Sequence, residues 1–441
     1  MAISDIASYA HLTEEDVAEI GRRFTEIEKQ HRETLGQADA RYIRTLIRIQ
    51  RTLEASGRGL LMVPTAGLAL DRLNLLPKSW KNTAHWGFTW AGVSALGLAK
   101  ILENLEIGHN TMHGQWDWMN DPEIHSATWE WDNSCPSSGW KHSHNFVHHK
   151  YTNVIGMDND VGYGILRVTR DRRWKPTTLL QPATNVVLAS LFQWAVAFYD
   201  VELGRVFAGK KEWSETRAQL MEVFAKSGRQ LLKDYVLFPA ISGPRYKQVA
   251  FANMMANLAR NVWAYAVIFC GHFPDDAETF TKEQYSTENK NEWYLRQMLG
   301  SANFHGGLAL SVLSGNLNYQ IEHHLYPDMP SNRLAQISKQ VQEICREYDL
   351  PYNTGSFPKQ FLQVQRTILK LSLPDRFLVA DPDNAPEVRS NDAFRKHPEI
   401  ETALDGTASP RRGLATGLRL LKRLRPSVRE IVRAYTGRST H

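Results

Sequence analysis

Cysteine is nearly absent from this chain: Cys135, Cys270 and Cys345 are the only three in 441 residues. Three scattered thiols give neither a disulfide framework nor a CxxC metal motif, and they point to a reducing compartment. The start of the chain, "MAISDIASYAHLTEEDV", lacks a basic segment followed by an apolar core, so no cleavable signal is expected. No clean apolar run of 18 residues occurs, and a mean hydropathy of −0.41 taken alone describes a soluble chain. There is no internal repeat of 20 to 50 residues. Tryptophan, by contrast, is plentiful: 13 residues of a type that concentrates at membrane–water interfaces. The length allows one large domain or two to three ordinary ones.

Charge is unevenly placed. From Arg411 to His441 there are nine Arg or Lys and one Glu, so the tail carries +8 of a net +5 and the remainder about −3. Leu and Val recur in that tail at helical spacing, as in a solvated tail or an amphipathic segment on anionic lipid. Nucleic-acid binding is not expected, because the rest of the chain has no basic excess. Thr13 and Asp16 resemble a capping box that opens a helix over 13–34. A second helical pattern runs from Asp39 to about Leu53, and the region from Asp381 to Pro410 reads as a linker. Four apolar stretches follow one another at 59–76, 84–103, 183–201 and 249–271. They read either as buried helices of a soluble bundle or as two membrane hairpins whose polar groups face inward. Asn253, Asn257 and Asn261, at i, i+4 and i+8, favour the second reading. The expected architecture is all-α: N-terminal cytoplasmic helices over 1–58, an integral membrane four-helix bundle with a helical cap over 59–375, and a linker with basic tail over 376–441. Seven Lys or Arg against three acids between Lys141 and Lys175 put that side in the cytoplasm. The nine bases and four acids of 205–248, which this arrangement places outside, argue against it.

Histidine is where the chemistry lies. "HNTMH" holds His109 and His113 at i and i+4. "HNFVHH" holds His144 and His148 in the same relation, with His149 about 100° further round. "QIEHH" holds Gln320, His323 and His324 on one helical face. Two His doublets, each with a ligand type one turn upstream, indicate a metal site, since imidazoles that bind metal are neutral and tolerate adjacency. Seven His exceed the three that a catalytic zinc takes, and "HNTMH" lacks the Glu of HExxH. Two metals would use the set. Glu106, on the face of His109 and His113, is placed to hold an imidazole N–H. His272 shares the Asn stripe and is an eighth ligand candidate; His305 is a weaker one, and His125 and His142 could support the site.

The strings "IGHNTMHGQWDW", "HNFVHHKYTN" and "GNLNYQIEHHLYPDMP" resemble the three histidine boxes of membrane fatty-acid desaturases, most of all the mycobacterial-type acyl-CoA Δ9 (stearoyl) group, over about residues 40–375. The resemblance implies a non-haem di-iron centre at the cytoplasmic face of four helices of the cell membrane, with O2 as co-substrate. It implies His109, His113, His144, His148, His149, His323 and His324 as catalytic iron ligands, with His272 as the extra ligand after the last span. Gln320 stands where a His often begins the third box. The implied substrate is a long-chain acyl-CoA or acyl lipid, desaturated at Δ9. An unactivated methylene offers no acidic proton, so side-chain acid–base chemistry cannot attack it and a metal must supply the oxidant. Electrons must come from a separate protein, an NAD(P)H-dependent flavin or iron–sulfur reductase or a ferredoxin, because no HPGG motif is present and three Cys cannot ligate a plant-type cluster. An acyl hydroxylase on the same scaffold, a zinc-dependent membrane hydrolase and a non-enzymatic membrane binding protein are the competing readings.

Overall fold

The structure is a computed structural model that describes residues 6–72, 83–158, 160–207 and 209–374. The expected linker and basic tail lie outside the described residues, as do positions 73–76 of the first apolar stretch. The chain is predominantly helical. Its strands among the described residues are β1 (Asn303–His305) and β2 (Thr354–Ser356), paired in parallel with Phe304 opposite Gly355.

Helix α1 (Glu14–Glu33) begins at the capping box read from the sequence: the Thr13 side chain accepts the Asp16 N–H, and the Asp16 carboxylate accepts the Thr13 N–H. Its apolar stripe of Ile20, Phe24 and Ile27 packs into one core with α8 (Lys290–Leu299), α9 (Gln320–Leu325) and α10 (Leu334–Glu347). This cap carries the third histidine cluster. Helix α2 runs unbroken from Gln37 to Arg72, so the second N-terminal helix and the first apolar stretch are a single rod of 36 residues, about 54 Å long. It packs on α3 (Thr83–Leu102), which in turn packs on α7 (Tyr246–His272).

The third apolar stretch does not form one helix. It divides into α4 (Gln181–Ser190) and α5 (Phe192–Tyr199), and the chain bends by 98° at Leu191. The element beside α7 is instead a continuous helical stretch of 29 residues: α6 (Trp213–Leu231), a π turn (Leu232–Leu237) and Phe238–Ile241. A turn at 242–245 folds it back on α7 as a hairpin, and Thr65 of α2 donates to the Ser242 carbonyl at that end. This hairpin is amphipathic in the reverse sense of a soluble protein. Met221, Phe224, Leu232, Val236 and Ile241 are exposed, whereas Lys226, Gln230 and Asp234 are buried. Asp234, fully buried, receives Arg58 at 2.9 Å, Lys100 at 3.1 Å and the Asn257 amide at 3.0 Å. The Asn stripe of α7 therefore does face inward, and Asn253 and Asn257 spend it on Asp234. Charged residues on the inner face depress hydropathy, and among the described residues no single helix is long and apolar enough to cross a membrane.

Candidate metal centre

The first two histidine clusters sit on π turns. Helix α3 passes into one at Glu103–His109, and the second cluster occupies another at Lys141–His148. A π turn adds a residue per turn and shifts which side chains share a face. The His149 N–H bonds the His144 carbonyl, five residues back. His148 and His149 therefore both lie against His144, with ring centroids 5.0 and 4.9 Å away. Gly108 makes the first π turn possible, because a Cβ there would stand 2.6 Å from the Glu103 carbonyl oxygen.

All eight predicted ligand histidines converge. His109, His113, His144 and His323 each offer a ring nitrogen, and these four atoms lie within 4.8 Å of one another. His148, His272 and His324 form a second such group. His149 stands between the groups, 4.7 Å from His113, 4.9 Å from His323 and stacked at 4.4 Å on His324. The arrangement suits two metal ions, and the hydrogen-bond pattern tests the fit. His148 donates from Nδ1 to the Asp158 carboxylate at 3.0 Å, His144 to Asp160 at 3.3 Å and His324 to Gln297 Oε1 at 3.0 Å. Each of these bonds fixes a tautomer whose Nε2 lone pair is free, and the Nε2 atoms of all three are buried without a partner. Both ring nitrogens of His149 and His323 are likewise buried and unpartnered. Buried polar atoms are normally satisfied, so orphaned nitrogens concentrated at one point are what a metal-ligand set shows when the ligands are viewed alone.

Electrostatics agrees. Burial, followed by repulsion among neighbouring imidazoles, holds His113, His144 and His149 well below the usual histidine range; burial brings His109 down to about 4. These rings are neutral at pH 7 and their lone pairs are available. His148 is the exception. Burial opposes its charge, but the Asp158 and Asp160 carboxylates outweigh that and hold it above the usual range.

Glu106 departs from expectation. Its carboxylate accepts from Tyr42 at 2.9 Å, Asn316 at 2.9 Å and Ser331 at 2.6 Å, and binds no imidazole. It ties α2 and the cap to the first cluster. The π turn displaces it from the face of His109, whose Nδ1 donates instead to Asn110 Oδ1 at 2.9 Å. Gln320 donates its amide to His272 Nε2 at 3.0 Å. His305 lies on β1 and is exposed, His142 is exposed and stacks on Phe146, and His125 faces Asp117; none reaches the centre. Sequence reasoning counted Asp158 and Asp160 only as loop charges, yet they orient the second cluster. The available signal was their place in "MDND", nine to eleven residues after the doublet. Asp158→Asn is expected to lower metal retention about 10- to 100-fold with the fold intact, read as metal per chain after dialysis against chelator; retention equal to the parent chain would show that the carboxylate does not matter.

A narrow cavity opens beside His109, His144 and His272. Its walls include Leu105, Trp131, Trp140, Phe192, Ala264 and Ile268. Trp140 stacks on His144 with centroids 4.5 Å apart. The site thus pairs a buried ligand cluster with a largely apolar slot, an arrangement that suits chemistry on a hydrocarbon.

Comparison with known proteins gives the same direction. The family model described as fatty acid desaturase matches residues 84–356. An NADPH-dependent stearoyl-CoA 9-desaturase of Mycobacterium tuberculosis is 51% identical over 440 residues, covering 98% of this chain and 99% of that protein. An sn-1 linoleoyl-lipid 6-desaturase of Synechocystis is 23% identical over 273 residues, covering 59% of this chain and 74% of that protein. With its three histidine boxes closed around one buried centre, the chain belongs to the fatty acid desaturase family.

Proposed function

We propose that this enzyme introduces a C9 double bond into a saturated long-chain acyl-CoA such as stearoyl-CoA, using O2 and electrons from a separate NADPH-dependent reductase. The observation that carries the reading is the meeting of eight imidazoles, seven of them buried and most with unpartnered nitrogens, at the mouth of an apolar cavity. His109, His113, His144 and His323 would hold one iron and His148, His272 and His324 the other, with His149 between them and Gln320 steering His272. Irons bound there supply the oxygen chemistry that can take hydrogen from an unactivated methylene. The protein's part is positional. Asp158, Asp160 and Gln297 fix the ring tautomers, the aromatic walls exclude water, and the slot holds an acyl chain so that one pair of carbons faces the centre. Expression in a desaturase-deficient host, followed by lipid analysis with double-bond location, tests this. A product lighter by two hydrogens supports it, and one heavier by an oxygen supports the hydroxylase instead.

We further propose that α2, α3, 213–241 and α7 are the membrane-embedded elements, with α4 and α5 dipping in from the histidine side and returning to it as a re-entrant pair. The inward charges and outward apolar face of 213–241 support this. It also shortens the far-side loop to the 242–245 turn, which removes the basic 205–248 loop that argued against the original assignment. Cysteines placed at Gly243 and Gly209 should react with a membrane-impermeant thiol reagent from opposite sides of sealed vesicles, with Gly209 on the cytoplasmic side; labelling from one side rejects the topology.

A further inference from the structure

The cavity beside the imidazoles has two chemically different ends. Helices α5 and α7 both run along it. At one end stand His272 and Asp200; in the middle, Ala264 and Val196; at the other end, Asn261 and Gln193. The far ends of the two helices are joined where the Asn261 amide donates to the Ser190 carbonyl at 2.8 Å. Eleven residues of α7 separate His272 from Asn261, about 16 Å of helix. The middle is walled by hydrocarbon and aromatic rings, but the far end is made of amides. Asn104 and Asn133 are bonded to each other at 2.7 Å, whereas Gln193, only 5% exposed, has an Oε1 with no hydrogen-bond partner.

We infer that Gln193 is the floor of the acyl channel and limits the length of chain the enzyme accepts. The inference rests on the desaturase reading, which places the reacting carbons beside the imidazoles. A polar acyl carrier cannot enter the helix bundle, so the methyl half of the substrate occupies the cavity. An extended chain advances about 1.2 Å per bond, so the roughly 16 Å from His272 to the amides hold about thirteen bonds. Methylenes along the aromatic walls are favoured. A methyl group driven against Gln193 Oε1 would seal a buried acceptor against hydrocarbon, which is unfavourable even where there is room. The cutoff is therefore set by polarity as well as by shape, a repulsive device against longer chains.

The test uses the full chain in desaturase-deficient cells fed saturated acyl chains of about 18 to 26 carbons, with unsaturated products separated by gas chromatography. Gln193→Leu should raise the ratio of products from the two longest chains to those from the shorter ones by about ten-fold, in line with relieving one unpaired buried acceptor. An unchanged ratio overturns the inference, because a merely structural role would scale all products together. Ala264→Leu, which narrows the channel above the floor, should shift the ratio toward shorter chains. It serves alone if Gln193→Leu does not accumulate, and an unchanged ratio there also counts against the assignment. Absence of any desaturated product from the parent chain would defeat the desaturase reading instead.

Discussion

His149→Ala should abolish turnover and release metal. The ring stands between the two ligand groups, in contact with His113, His144, His323 and His324, and both its nitrogens lack a protein partner. Alanine there breaks no hydrogen bond within the protein, so the loss reports on the centre itself. Changing a residue that merely orients a ligand typically costs 10- to 100-fold, so removing this ring should cost more than about 100-fold in metal retention. Iron per chain by elemental analysis and product by mass spectrometry measure the two effects. His31→Ala is the control. His31 bonds Gln340 at 2.9 Å, far from the centre, and its variant should keep both iron and turnover. Normal iron and product in His149→Ala would mean that the convergence of imidazoles has no functional role.

Asp234→Asn should be the most destabilising single-charge change in the bundle. The carboxylate is fully buried and faces Arg58 at 2.9 Å and Lys100 at 3.1 Å, and Lys100 is shared with Asp132 at 3.1 Å. Taking one partner from a buried ion cluster leaves cations without compensation, which typically costs about 3–5 kcal/mol. Thermal unfolding of the purified protein in lipid nanodiscs should show a correspondingly lower midpoint. Lys100→Met in the same chain removes the surplus charge, since Asp132 retains Lys233 at 2.8 Å, and should recover part of the loss. A shift no larger than that of an ordinary surface substitution, within about 0.5 kcal/mol, would show that the cluster is hydrated and weak.

The convergence of the histidine clusters was legible because imidazoles one turn apart are rare and chemically expensive, and the spacing survives translation into almost any helix. The way in which His148 and His149 both reach the centre was not legible. It depends on an i→i−5 bond between His149 and His144, and nothing in "HNFVHH" distinguishes a π turn from an α turn. Glu106 was misjudged for the same reason, since the π turn after Leu102 rotates it toward Tyr42, Asn316 and Ser331. Asp158 and Asp160 went unremarked because a loop carboxylate carries no periodic signal until the loop is folded back on its histidines.

The apolar stretches show the limit most plainly. Stretch 183–201 is apolar along its length yet bends by 98°, whereas 213–241 carries Lys226, Lys233 and Asp234 and still forms the continuous helical partner of α7. Hydropathy sums side chains without regard to direction, and direction is what decides whether a charge meets lipid or another charge. Residue identity alone therefore settled the helical class, the metal-binding chemistry and the family. Which helix pairs with which, where each carboxylate goes and which side chains line the cavity were decided only by the tertiary structure, because those depend on partners hundreds of residues away that bury one face of each helix and leave the other bare.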